Sequence, residues 1–195
     1  PGEMGEALPA VDLGTDRTAV DVTAGQAHTC AILDDGAVKC WGANGNGQLG
    51  IGDAEDRGDG PGEMGDALPA VNLGAGRTAV AISAGNRHTC AVLDDATVKC
   101  WGNGTNGRLG QGSTAHVGDG PGEMGDALPA VSLGTGRTAT AVSAGGQHTC
   151  ALLDDATVKC WGRNQAGRLG PGATDASGDS PDEMGDALPP VPLGS

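Results

Sequence analysis

The chain has 195 residues and carries 11 Lys and Arg against 25 Asp and Glu, a formal net charge of −14 at pH 7. Such a surface repels phosphate, which argues against nucleic acid and anionic lipid as partners, and no run of 18 apolar residues offers a membrane-spanning helix. High glycine (37 residues), with no Phe or Tyr and only three Trp, is a composition that disordered chains share, but here the glycines recur in register, which points to an ordered repeat. A start at Pro1, with no Met, reads as a mature or trimmed product, so a missing signal peptide says nothing against secretion.

In chain order, four short apolar stretches come first: Ala7–Leu13, Thr18–Ala24, Thr29–Leu33 and Ala37–Trp41. Each is too short for a typical helix and is bounded by Gly, Asp or Pro, so each reads as a strand. A Gly- and Asp-rich loop follows, and at Pro61 the pattern restarts. Residues 61–120 align with 121–180 without gaps and match at about 43 of 60 positions; residues 1–60 fall into the same register. The units are therefore 1–60, 61–120 and 121–180, with a partial fourth at 181–195 that ends at Ser195. Four strands per unit of this length predict an all-β chain of propeller-type blades. Three four-stranded antiparallel blades are expected, with one extra terminal strand.

The central hairpin is the best-defined piece. Folding His28–Trp41 about Asp35 sets Cys30 opposite Cys40, Ile32 opposite Val38 and Thr29 opposite Trp41. Cross-strand Cβ atoms lie about 4.5–5.5 Å apart, near what a disulfide needs. The pairing repeats at Cys90/Cys100 and Cys150/Cys160. Reduced thiols, or a zinc or redox site that also uses His28, are the alternatives; zinc sites usually show C-x-x-C-like pairs, and this spacing does not. Six cysteines in this register point to an oxidising compartment. A three-residue hairpin loop favours Gly at its last position, where copy one has Gly36 but the others have Ala96 and Ala156, which leaves a register shifted by one residue as an alternative.

The string A-G-x-x-H-T-C-A-x-L-D-D-x-x-V-K-C-W-G-x-N-x-x-G-x-L-G, carried by 24–50 and 144–170 and, with Gly104 at the Asn position, by 84–110, resembles the regulator of chromosome condensation repeat. With its cysteine hairpin and P-G-E-M-G-D-A-L-P segment, the unit is similar to the secreted bacterial branch of that family. The resemblance implies a β-propeller, usually of seven blades, that works by binding other proteins. The exchange-factor activity of the best-known eukaryotic member does not carry over, because nothing here matches its catalytic loop. A secreted bacterial member that inhibits a β-lactamase shows that the scaffold suits protein recognition.

Three blades do not easily close a ring, since propellers use about 4–8. Two copies pairing into a ring, a larger propeller of which this is a piece, and an open end-to-end assembly are the three solutions. Ala7–Leu13 and Ala187–Leu193 are versions of one element, so one of them is free to serve a neighbouring chain. Pro190 and Pro192 suit an outer edge strand.

The remaining motifs favour structural roles. His28, His88 and His148 recur at one position in every unit and read as hydrogen-bonding groups of the blade. Trp41, Trp101 and Trp161 are expected between blades, each needing a partner for its indole N–H. The acidic run Asp53–Asp66 contains Asp56, Asp59, Glu63 and Asp66, a weak calcium candidate without a complete D-x-D-x-D-G frame. Arg57-Gly58-Asp59 is an integrin-type tripeptide read as coincidence, and Asn103-Gly104-Thr105 is a glycosylation sequon present in one copy only. No nucleophile–base pair, phosphate loop or cofactor motif supports an enzyme.

What differs between copies is concentrated in two places: Gln26-Ala27 against Asn86-Arg87 and Gly146-Gln147, and the segments 43–46 and 51–57 against 103–106 with 111–117 and 163–166 with 171–177. The Asp-Asp turns and the segments around Arg17, Arg77 and Arg137 barely change. Loops on a rigid scaffold carry recognition, although exposed loops also drift without function. The varied loops are assigned to one face of the blades, the A–B and C–D loop face. Its candidate ligand-binding residues are Gln26, Ala27, Ala43, Asn44, Asn86, Arg87, Asn103, Asn106, Gln147, Arg163 and Asn164. The expectation is a non-enzymatic, extracytoplasmic binder of a protein or glycan, with no cofactor. The alternative is a self-assembling structural protein built through the spare terminal strand.

Overall fold

A computed structural model describes residues 8–170, 172 and 175–193. Ala7 and everything before it, Pro171, Ala173 and Thr174 of the third variable loop, and Gly194-Ser195 lie outside the described residues.

The described residues form three antiparallel sheets of three strands each. They are β1 (Ala19–Ala24), β2 (His28–Leu33) and β3 (Val38–Gly42); β4 (Ala79–Ala84), β5 (His88–Leu93) and β6 (Val98–Gly102); and β7 (Ala139–Ala144), β8 (His148–Leu153) and β9 (Val158–Gly162). Each element recurs at a 60-residue offset. The central hairpins take the expected register: Cys30 pairs with Cys40, Ile32 with Val38 and Thr29 with Trp41. Cys30–Cys40, Cys90–Cys100 and Cys150–Cys160 are disulfide-bonded. The turn keeps one form in all copies because Ala96 (φ 62°) and Ala156 (φ 63°) adopt the left-handed backbone that Gly36 (φ 78°) adopts without penalty.

The blade is all-β as expected, but its fourth position is not a continuous strand. The first apolar stretch of the second, third and partial fourth units belongs to the outer edge of the preceding blade. Pro69 and a 3-10 turn at Gly65–Ala67 break its pairing, leaving one backbone hydrogen bond to β3 among the described residues: Val71 N donates to Val38 O at 2.8 Å. The other end of β3 is covered from its own repeat, where Gly42 and Arg57 exchange both backbone hydrogen bonds (2.7 and 3.0 Å). The same two-point edge recurs as Val131 on Val98 with Val117 on Gly102, and as Val191 on Val158 with Ser177 on Gly162. Val191 is the one residue between Pro189 and Pro192 that has an N–H to give. The terminal segment therefore completes the third blade, and the surplus element is the one at the start of the chain. Val11 is 53% exposed where Val71 is 6% exposed.

The core lies between blades rather than within them. Cys30, Ile32 and Val38 of the first blade pack with Ile82, Ala91, Leu93 and Trp101 of the second, and the pattern repeats at the next joint. Buried lysines tie the joints together. Lys99 Nζ donates to Leu73 O (3.0 Å) and Gly125 O (2.7 Å), linking repeats two and three, while its aliphatic stem fills apolar space. Lys39 does the same with Leu13 O and Gly65 O.

Candidate functional site

Each sheet is antiparallel, so its two ends carry different loops. Lettered from β1, the A–B loop (25–27) and the segment following β3 (43–56, the C–D loop) leave from one end. The Asp-Asp turn (34–36) leaves from the other. That second end is a regular ionic rim: Arg17 bridges Asp34 and Asp35, Arg77 bridges Asp94 and Asp95, and Arg137 bridges Asp154 and Asp155. Arg77 is about two-fifths exposed, so these pairs contribute little stability each. Hydrogen bonds from Thr97 hold the Asp95 carboxyl below the usual carboxylate range, against a smaller opposing effect of burial.

The variable loops of all three repeats meet at the first end. Gln26, Asn86, Arg87, Asn103, Asn106, Gln147 and Arg163 surround one open depression of about 440 Å³ spanning the blades. Ala27 and Ala43 lie on an adjoining depression that shares Gln26 and Arg87. Two candidates play a different part. Asn44 is fully buried: its amide N–H goes to Asp56 Oδ1, its Nδ2 to Asp53 O, and its Oδ1 accepts from Leu49 N. Asn164 is buried likewise, with Oδ1 accepting from Leu169 N (3.0 Å). These asparagines shape the C–D loop, because a loop that leaves a strand at a sharp angle strands backbone donors that a short amide can reach. Asn103 is nearly buried and spends Oδ1 on Thr105 N, which ill suits a glycan acceptor.

Two lining residues were absent from the candidate list, Thr105 and Arg108. The signal for Arg108 was present in the sequence: its position reads Gln48, Arg108, Arg168, a charge change between copies. Arg108 is largely buried and donates Nε–H to Thr105 O at 2.9 Å. Burial lowers its pKa, and the positive charges of Arg87 and Arg163 lower it further. Arg163 donates to Gln147 Oε1 at 2.6 Å.

The histidines and tryptophans sit at the joints. Thr89 Oγ1 donates to Gln48 O (2.9 Å) and lies 2.9 Å from His28 Nε2. The hydroxyl has one proton, already given to the carbonyl, so His28 carries its own proton on Nε2 and is neutral. Nδ1 is buried without a hydrogen-bond partner among the described residues. His88 repeats this with Thr149 and Arg108 O. Burial pushes the His28 pKa down to about 4 and the His88 pKa down to about 3, with nearby positive charge adding to the effect at His88. Trp101 and Trp161 are fully buried and donate to Gln48 O and Arg108 O of the preceding repeat.

The acidic run does not converge. Asp56 holds Asn44, Glu63 accepts from Gly58 and Gly60 amides, and Asp66 takes Thr15 of the first repeat. Among the described residues no group of three His, Cys, Asp or Glu is placed to hold a metal ion. Arg57 of the integrin-type tripeptide is engaged with Asp53 at 2.6 Å. No helix among the described residues is long and apolar enough to cross a membrane.

Comparison with known proteins agrees with this architecture. The profile of the regulator of chromosome condensation (RCC1) repeat matches residues 35–92 and 97–152, and a second profile of the same repeat matches 19–48, 79–108 and 139–168. The chain is 35% identical over 162 residues to the ultraviolet-B receptor UVR8 of Arabidopsis thaliana, covering 83% of this chain and 33% of the receptor. It is 32% identical over 157 residues to the human E3 ubiquitin-protein ligase HERC2, covering 80% of this chain and 3% of the ligase. It thus spans a third or less of these relatives. The fold is similar to that of Prp20, yeast RCC1, solved bound to Kap60: TM-score 0.59, 21% identity, covering 85% of this chain and 37% of the other. Prp20p of Saccharomyces cerevisiae, in a structure reported with its binding to Gsp1p and histones, gives a TM-score of 0.57 at 19% identity, covering 80% and 34%.

Proposed function

This chain belongs to the regulator of chromosome condensation (RCC1) repeat family, and we propose that it acts as a non-enzymatic, extracytoplasmic interaction module that binds a protein through its A–B and C–D loop face. One observation carries the reading: the residues that vary between repeats, from three separate blades, line a single depression of about 440 Å³, while the opposite rim repeats one ionic motif three times. The three disulfides suit an oxidising compartment. A glycan is the less favoured ligand, because the depression has no aromatic side chain and Trp101 and Trp161 are buried in the joints. The test is a displayed peptide library panned on the chain. Binders should be lost with Arg87→Ala, Asn103→Ala and Arg163→Ala and kept with Asp94→Ala and Asp95→Ala. Equal loss from both faces would overturn the assignment.

A second reading, self-assembly, rests on the two ends of the array. Each internal joint matches a tail half to a head half: His28 to Thr89, Thr23 Oγ1 accepting from Ala84 N, Gln48 O accepting from Trp101. Among the described residues the outer halves are uncovered. Leu152 is 41% exposed against 2% for Ile32, and Val22 is 63% exposed against 8% for Ile82. A second copy offers the missing half at each end. Its Val11 would compete with Val191 for Val158 O, so joining requires one of the two segments to give way. Light scattering of the 195-residue chain should show mass rising with concentration, and Leu152→Glu should abolish the rise; a constant monomer mass at every concentration refutes it.

A further inference from the structure

The cations of this chain divide sharply. Arg17, Arg57, Arg77 and Arg137 each pair with an aspartate. Lys39, Lys99 and Lys159 donate to backbone carbonyls. Of the rest, Arg168 donates Nε–H to Gln165 O, while Arg87, Arg108 and Arg163 gather at the same depression, and none of these three has a carboxylate within 4 Å among the described residues. In a chain with 25 Asp and Glu, such a cluster is conspicuous. Like charges brought together at a partly desolvated site repel, and the repulsion grows as water is excluded. The neighbouring side chains are uncharged amides, Gln26, Asn86 and Asn106 among them, which can both give and accept hydrogen bonds and so match peptide backbone groups.

We infer that the loop face takes an acidic peptide segment, its carboxylates received by Arg87, Arg108 and Arg163 and its backbone by the surrounding amide side chains. The inference rests on the reading of this face as the binding surface and names its ligand. Guanidinium groups match carboxylates through paired N–H donors. The overall charge of −14 selects for shortness: a long polyanion such as a nucleic acid would run out over an acidic surface, whereas a short segment ends within the depression.

The experiment measures fluorescence anisotropy of dye-labelled octaglutamate and octaglutamine peptides on the oxidised chain, with tripolyphosphate as competitor. Octaglutamate should bind at least about tenfold tighter than octaglutamine, and about 0.5 M salt should remove most of that difference. Arg108→Gln should weaken octaglutamate about tenfold or more. This substitution is compatible with the fold, since Gln48 fills the same position in the first repeat. Arg137→Gln, on the opposite rim, should leave binding unchanged, and circular dichroism confirms folding of each variant. Equal binding of the two peptides overturns the inference, as does equal loss from Arg137→Gln. Displacement by tripolyphosphate at lower concentration than by unlabelled octaglutamate overturns it in favour of phosphate recognition. If library peptides depend on Arg87, Asn103 and Arg163 while octaglutamate does not bind, the loop face stands and only its acidic ligand falls.

Discussion

Acidification from pH 7.5 to 5 should destabilise this chain by about 4 kcal/mol. His28 and His88 are buried at the two joints, each with Nε2–H held by a threonine hydroxyl and Nδ1 without a hydrogen-bond partner among the described residues. Protonation would place a second N–H where nothing accepts it. Their folded pKa values, about 4 and about 3, lie below the ordinary 6.5. The unfolded chain therefore binds more protons between these limits. The stability these histidines contribute is complete above pH 6.5 and is lost as pH falls toward the folded values. At pH 5 each unfolded histidine is almost fully protonated and each folded one almost fully neutral, a difference of about 2 kcal/mol per site. The carboxylates whose pKa values are lowered, such as Asp66 and Asp95, lose stability only at lower pH, so this window isolates the histidines. Urea unfolding followed by tryptophan fluorescence at both pH values, with disulfides intact, measures the difference. His28→Gln keeps a donor toward Thr89 and removes one titrating group, so it should lower the pH dependence by about 2 kcal/mol; His148, whose pKa burial also lowers, adds to the part that remains. Unfolding free energies equal at pH 7.5 and 5, or an unchanged slope in His28→Gln, would refute the reasoning.

Other substitutions test the remaining physical claims. Ala96→Gly should stabilise by up to about 1 kcal/mol, read as a rise in melting temperature, because Ala96 holds a left-handed backbone (φ 62°) that costs a Cβ-bearing residue about 1–2 kcal/mol, partly offset by the entropy of glycine. Removing one disulfide with Cys90→Ala and Cys100→Ala should cost about 2–3 kcal/mol in urea unfolding, from the short loop closed across 10 residues. Lys99→Met keeps the stem but strands Leu73 O and Gly125 O, and should cost about 2–3 kcal/mol in the same assay.

The hairpin was legible in the sequence, with its register open by one residue because Ala96 and Ala156 stand where the turn favours Gly. The structure takes the register that pairs Cys30 with Cys40 and Ile32 with Val38, since the alanines adopt the left-handed backbone. The interblade place of Trp101 and Trp161 was legible too, since a large aromatic repeated in every unit needs a joint to fill. The outer edge was not. Ala7–Leu13 alternates like a strand, yet the single donor that reaches the sheet in each later copy is Val71, Val131 or Val191, and the acceptor is in the previous repeat. Periodicity reports which face is apolar and is silent on which blade receives it. Nor did variation between copies separate Asn44 and Asn164, which bond inward, from Arg87 and Arg163, which line the depression. Arg108 escaped because it matches Arg168, and only comparison with Gln48 exposes the change.

The three tryptophans show why the joint, rather than the blade, is the unit of this fold. They occupy one position in three near-identical repeats, yet Trp101 and Trp161 are fully buried with their indole N–H bonded to the preceding loop, and Trp41 is only half-buried. Among the described residues a repeat precedes Trp101 and Trp161 and none precedes Trp41, and the difference in burial follows that. Stability in such an array is a sum over neighbouring contacts, so interior and terminal repeats of like sequence differ in energy. Acrylamide should therefore quench one component of the native fluorescence strongly and two weakly, and Trp41→Leu should remove the quenchable one. If a second copy docks against the head of the array, Trp41 acquires the carbonyl partner and burial that Trp101 has, and its quenching should fall as concentration rises. A Trp41 component that stays equally accessible at every concentration would show that no such joint forms, whatever the mass measurement reports.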